Sequence, residues 1–411
     1  MFSGASAFNQ PLAFNTSKVT EMSFMFSGAS AFNQSLTFDT SKVETMCYMF
    51  SGASTFNQPL AFDTSQVTDM RSMFYGAYSF NQSLAFDTSK VTNMSFMFTF
   101  ASAFNQLLAF NTSRVTNMTE MFRNAMAFNQ PLNDWDTSQV TTMRYMFCGT
   151  SAFNQRLTFN TAQVKDMSFM LNGATAFNQT LAFNTSQVTE MSYMFCGATL
   201  FNRPLVFNTS QVTNMHHMFY YARAFNQPLD WDVSQVTDMS YMFRNAMAFN
   251  QPLTFDDTSQ VTTMRSMFGG ASSFNQPLAL DTSQVTDMRS MFHGATAFNQ
   301  PITFDTSQVT EMGNIFEGSH SPLWYKCAKG IDITQLLTVP GIDVNQVAPD
   351  GRTPLWWACA WGRDKIVAQL LAVPGLVATQ ATNDGLTPFS TACKEGHFNI
   401  VQQLLEYSAN Q

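Results

Sequence analysis

The chain has 411 residues, 45% of them apolar, with 42 Phe, 28 Met and a formal net charge of −8 from 20 basic and 28 acidic side chains. That apolar content excludes intrinsic disorder, and an acidic balance without a basic stripe excludes a nucleic-acid surface. No apolar run approaches the roughly 18–20 residues of a bilayer span, and the opening MFSGASAFNQ has neither the basic start nor the apolar stretch of a leader.

From the first residue onward the chain repeats itself. Residues 8–31 read FNQPLAFNTSKVTEMSFMFSGASA, and near-copies follow to about residue 318. Valines mark the register: Val19, Val43, Val67, Val91, Val115, Val140, Val164, Val188, Val212, Val236, Val261, Val285 and Val309. Their spacing is 24, with two of 25, which gives thirteen units. A methionine follows every valine by three residues, from Met22 to Met312, and a Phe-Asn pair precedes each, from Phe8-Asn9 to Phe298-Asn299. A unit this short buries its apolar face only by stacking on its neighbours. The pattern predicts coils of two short extended pieces, around FNQPL and around Val-Thr, leading into a tight helical turn at M-x-x-M-F. The residue before each of these methionines is Thr, Asp or Asn in ten units, such as Asp69, Asn93 and Asp238, and Glu in the others. Those first three are preferred N-caps, which supports the helical turn. The Gly-Ala that often follows, as in Gly28-Ala29, suits a close exit. At roughly 4.8 Å per coil, the stack would be a rod on the order of 60 Å long.

The pattern FNQPL-x-F-[DN]-T-S-x-V-T-x-M-x-x-M-F-x-G-A over residues 1–318 resembles the BspA-like leucine-rich repeat family. The resemblance implies a right-handed, leucine-rich-repeat-like, β-rich solenoid used for binding, with no catalytic residues to carry over.

Beyond residue 318 the period stops. SPLWYKCAKG (321–330), TPLWWACAWG (353–362) and TPFSTACKEG (387–396) align, each followed by an apolar helix ending in paired leucines at 336–337, 370–371 and 404–405. Pro322, Pro354 and Pro388 are 32 and 34 residues apart, and proline is tolerated in a first helical turn. This part, about 319–411, resembles ankyrin repeats, an all-α segment of about three units. Trp324, Trp356 and Ser390 stand where that family usually has His, and the first unit is two residues short between its helices.

Candidate sites were weighed against structural roles. Cys327, Cys359 and Cys393 occupy one equivalent position that suits small buried residues; Cys148 and Cys196 lie two coils apart, too far for a disulfide. Free thiols suit a reducing compartment. The five histidines, His216 and His217 among them, form no set with a nucleophile or an acid, so neither enzyme, metal nor cofactor is expected. The Asp or Asn four residues before each valine, including Asp39, Asp63 and Asp87, would suit stacked calcium sites, but the five Asn among them fit Asx turns. The Asn of each Phe-Asn pair suits an inward ladder satisfying turn backbone. The Thr after eleven of the valines forms a rank of the kind ice-binding solenoids present, or simply an exposed strand.

The variable face remains. Arg71, Arg144, Arg265 and Arg289 share one column between the paired methionines. Phe24, Tyr48, Phe96, Tyr145, Phe169, Tyr193 and Tyr241 share the other. Arg and Tyr dominate interface hot spots, although an aromatic column also suits packing between coils. On the ankyrin units the inner-helix ends Lys329, Trp361 and Glu395 are the contact candidates. The expected function is a non-enzymatic protein–protein interaction scaffold of two solenoids joined end to end, with other proteins as partners and no membrane span. A cell-surface adhesin is the alternative. No linker separates Phe316 from Pro322, so the last coil should pack on the first ankyrin helix. Residues 1–7 align with 25–31, so the array is expected to be incomplete at its N-terminus. A cytoplasmic location is expected, with the cell surface as the alternative if a leader precedes.

Overall fold

The computed structural model describes the chain except residues 256, 299, 301, 303, 318–322, 338–341, 348–350 and 411. Asn299, Pro322 and the boundary after Gly318, singled out in the sequence, lie outside the described residues.

Each coil of the 24-residue array closes its hydrogen bonds on its neighbours. Parallel bridges run unbroken through the residue two after each valine, Glu21 to Thr45 to Asp69 and on to Asp287 and Glu311. From there alternate amides reach the next coil. Met22, Phe24, Phe26 and Gly28 donate to the carbonyls of Thr45, Cys47, Met49 and Ser51 at 2.6–3.1 Å, while Met25, Ser27 and Ala29 turn back to Met22, Phe24 and Phe26. The expected helical turn is therefore absent, and this corrects the sequence reading. The second residue between the paired methionines has φ of +51° to +60° in all thirteen coils, from Phe24 to Asn314. Left-handed backbone at the third residue of an i→i+3 bond belongs to a turn such as type II and ends any helix. The residue before the methionine is likewise no helix cap. Asp69 Oδ1 accepts from the Arg71 amide at 3.0 Å, an Asx turn that uses the same side-chain chemistry. Nor are the coils β-rich. Pairing is by single bridges, and the FNQPL arm contributes one, Leu229 to Leu253.

Side chains stitch the arm instead. The Asn57 amide donates to Asn33 Oδ1 at 2.9 Å, Asn81 to Asn57 and Asn105 to Asn81 at the same distance, and the ladder continues to Asn275. The following Gln often adds a second bond to the same oxygen, as Gln82 Nε2 does to Asn57 at 3.1 Å. The Asn ladder thus satisfies backbone, as the sequence suggested, from a half-buried rather than a fully inward position. A buried Thr rank does the same further along. The hydroxyls of Thr40, Thr64 and Thr88 each donate to the next coil's carbonyl at 2.9 Å.

The core between turn and arm is columns of phenylalanine. Phe26, Phe50, Phe74, Phe98 and Phe122 stack at 5.5–5.7 Å. Phe32, Phe56, Phe80 and Phe104 stack at 5.9–6.0 Å, and all of these rings are fully buried. On the left-handed turns, equivalent rings stand only 4.2–4.7 Å apart, closer than in either core column.

Six helices lie among the described residues, all in the C-terminal part: α1 (Leu323–Lys329), α2 (Thr334–Leu337), α3 (Pro354–Ala360), α4 (Asp364–Leu371), α5 (Pro388–Lys394) and α6 (Phe398–Ala409). Thr353 caps α3 by accepting from the Trp356 amide at 3.1 Å, and Pro354 and Pro388 sit in first turns. Ser390 earns its place by completing a capping box with Thr387. Helices α1, α3 and α5 pack side by side over a core including Leu323, Cys327, Leu355, Cys359, Leu370 and Leu404. Cys393 departs from its two equivalents. Cys327 and Cys359 are buried between units, whereas Cys393, in the last described unit, is exposed.

The two parts touch through aromatic rings. Phe316 of the last coil meets Tyr325 at 5.1 Å and Trp324 at 6.0 Å, both edge-on, and Trp324 and Tyr325 pack on the phenylalanine core.

Candidate interaction face on the left-handed turns

Except at the buried Ser72 and Ser266, the left-handed turns bring one side chain per coil to the surface, and five consecutive ones form a ladder. Tyr145, Phe169, Tyr193, His217 and Tyr241 stack at 4.2, 4.3, 4.3 and 4.3 Å, with interplanar angles of 11–20°. All five are half-buried: faces cover one another and edges meet solvent. Both expectations for this column therefore meet in one feature, since the rings pack between coils and still present an outer edge.

Arginines close both ends. The guanidinium carbons of Arg123 and Arg144 each stand 5.1 Å from the Tyr145 ring centre; those of Arg244 and Arg265 stand 5.4 and 5.7 Å from Tyr241. Arg123 also pairs with Glu120 at 2.9 Å. The expected arginine column divides here. Arg71 pairs with Asp69 at 3.1 Å, and Arg289 with Asp287 at 2.7 Å and Glu311 at 3.9 Å. Arg144 and Arg265 have Thr142 and Thr263 where the other two have Asp, and among the described residues they hold no ion pair. Tyr48 belongs to a separate two-ring stack with Phe24, at 4.7 Å.

Sequence reasoning missed three members. Arg123 and Arg244 come from the column after the Met-Phe pair, and His217 reads in the sequence as one of five histidines that form no set. A signal existed. RNAMAFNQPL occurs at 123–132 and at 244–253, and TTMR at 141–144 and 262–265, so the arginine pair recurs every 121 residues, which is five coils. The same block puts Asn124 and Asn245 at the left-handed position where most coils have Gly.

The titratable groups behave as packed groups. Burial lowers the His217 pKa from 6.5 to about 4, and burial also lowers that of His216, against the opposing pull of Asp238. His217 is therefore a neutral ring in the ladder near neutral pH. Burial pushes the Cys148 thiol up to about 11 and Cys196 to about 12, which makes both poor nucleophiles. Asp39, Asp63 and Asp87 of the D-T-S turns are held below their ordinary range by Ser bonds, Asp39 by Ser41, whose hydroxyl donates at 2.7 Å and amide at 3.1 Å. Their oxygens are engaged in Asx turns, and no cluster that could hold a metal occurs among the described residues. In the exposed Thr rank the hydroxyls lean on the preceding coil's carbonyls, Thr92 to Thr68 and Thr213 to Thr189, at 3.3–3.4 Å.

A second concavity of about 380 Å³ lies at the junction, lined by Phe304, Phe316, Trp324, Tyr325 and Trp357. Of the three ankyrin candidates, Lys329 and Trp361 line it, with Lys329 Nζ 5.9 Å from the Tyr325 ring centre. Glu395 caps the end of α5 and does not line it.

A stack of near-identical coils with a laterally presented side-chain face, ending on ankyrin helices, defines the chain as a repeat protein. A family profile described as "Mycoplasma protein of unknown function, DUF285" matches residues 1–85, 84–182, 156–254, 179–279 and 229–323. The chain belongs to that family. "Ankyrin repeats (3 copies)" matches residues 323–411. Neither match indicates an enzyme family, and no curated protein matches the chain.

Proposed function

We propose that the protein is a non-enzymatic scaffold that binds other proteins through the face of its left-handed turns. One observation carries this reading. Two positions per coil are left-handed; at the second most residues are Gly, whereas at the first none is. Left-handed backbone costs an L-residue about 1–2 kcal/mol, so glycine is the least costly choice at both. Holding Phe, Tyr, His, Ser, Glu and Asn at the first position sacrifices stability in every coil, and all of these side chains except the buried Ser72 and Ser266 reach the surface. The ankyrin repeats support the same reading, as a fold used for protein recognition.

The kinship with right-handed BspA-like leucine-rich repeats is part of the proposal, supported by the FNQPL motif. So is a cytoplasmic location, supported by six cysteines that are all free; the adhesin alternative rests on that kinship. The test is site-specific photocrosslinking in extract of the native cells. A benzoylphenylalanine at position 193 should capture discrete proteins, while one at Val206, which is 89% exposed on the opposite arm, should not. Equal capture from both faces would sink the reading.

A further inference from the structure

We propose that the five-ring ladder and its arginine clamps bind an extended peptide with acidic side chains near both ends and neutral or basic residues between them. The inference deepens the scaffold reading and rests on it. Three observations carry it. First, one cation at each end of the ladder is exposed and holds no ion pair among the described residues. Arg144 and Arg265 lie beside threonines in the position where Arg71 and Arg289 meet aspartates, and Glu190 and Asp287 act on them only at longer range. A guanidinium over a ring keeps its in-plane donors for a carboxylate.

Second, the clamps have a fixed separation. Four stacking steps of 4.2–4.3 Å lie between Tyr145 and Tyr241. Arg144 and Arg265 stand five coils apart, about 21 Å at that step, which an extended chain rising about 3.3 Å per residue covers in roughly six residues. The ladder edge between them offers the phenol of Tyr193 flanked by Phe169 and neutral His217, a surface suited to uncharged side chains.

Third, the charge along the strip alternates. The bridge column beside the ladder carries Asp166, Glu190 and Asp238 between the two clamps. A uniformly anionic chain is repelled there, whereas a peptide acidic only at its ends is not. This favours a protein segment over a nucleic acid or another polyanion.

The test is fluorescence anisotropy with the full chain and rhodamine-labelled peptides of identical composition. One places two acidic residues six apart around an uncharged centre; its isomer places them side by side. Oligoglutamate and single-stranded DNA are the polyanion probes. The spaced peptide should bind at least fivefold tighter than its isomer and tighter than either polyanion. The variant Arg144→Glu/Arg265→Glu should weaken it tenfold or more and gain affinity for a peptide with lysines in place of the acids. That charge swap separates lost recognition from lost folding. No saturable binding, equal binding of the isomers, preference for a polyanion, or indifference to the double reversal would each overturn the inference. Capture from position 193 by proteins of other chemistry would leave the scaffold reading standing without it.

Discussion

At the residue scale, the recurring polar residues of each unit are explained by the amide or carbonyl each one satisfies. Asn129 Oδ1 accepts from the Asn154 amide at 2.9 Å and from Gln155 Nε2 at 3.2 Å. Asn129→Ala leaves that amide unpaired, and a lowered melting midpoint corresponding to about 1–3 kcal/mol is expected. Glycines in the second left-handed position differ in a way sequence does not reveal. A Cβ on Gly76 would meet only backbone at 3.8 Å, whereas one on Gly149 would collide with Asn124 Oδ1. Gly76→Ala should cost about 1–2 kcal/mol in urea unfolding, and Gly149→Ala more. Adding Asn124→Gly should recover the difference; failure to recover it would deny the contact. The turn role of the Asp and Asn residues was legible because Asx chemistry is local. The left-handed backbone was not. Thr, Asp or Asn before M-x-x-M-F signals a helix start as well as an Asx turn, and only the inter-coil bonds decide between them.

At the element scale, the ladder's histidine couples stability to pH. The folded ring has a pKa of about 4 against 6.5 for the free group. As pH falls through that window the unfolded chain takes up a proton that the folded ring resists. The contribution is whole above pH 6.5 and is lost progressively towards pH 4. His217→Phe keeps a flat ring beside Tyr193 and Tyr241 and removes the titration. Thermal melts of this variant should decline less between pH 6.5 and 4 than those of the parent, with His216 and, near pH 4, the hydrogen-bonded turn aspartates supplying the remainder; identical declines would show that His217 does not titrate in the ladder. The ladder itself was half legible. Its aromatic column stands out at the 24-residue period, but His217 is not read as a ring partner until stacking distances are known. The flanking arginines become visible only through the five-coil period.

At the scale of the whole molecule, stability is a sum over neighbours. Phe153 is fully buried between Phe128 and Phe177, at 6.1 and 6.0 Å. Phe153→Ala should cost about 3 kcal/mol or more, and limited proteolysis should cut near that coil first. Equal resistance along the array would argue against a one-dimensional stack. The close junction was legible from the short spacing between Phe316 and the ankyrin motif, and the ring contacts of Phe316 with Trp324 and Tyr325 bear it out.

The central claim is that each coil is held by its turn edge through backbone bonds and by its arm through side chains. Residue-resolved hydrogen exchange tests this directly. In a coil such as 32–55, the amides of Met46, Tyr48, Phe50 and Gly52 donate to the next coil, whereas those from Gln34 to Asp39 have no backbone acceptor. The account predicts slow exchange in the first set and fast exchange in the second, repeating along the array with the period of the valines. Equal protection of both arms, as in a coil built of two paired strands, would contradict it.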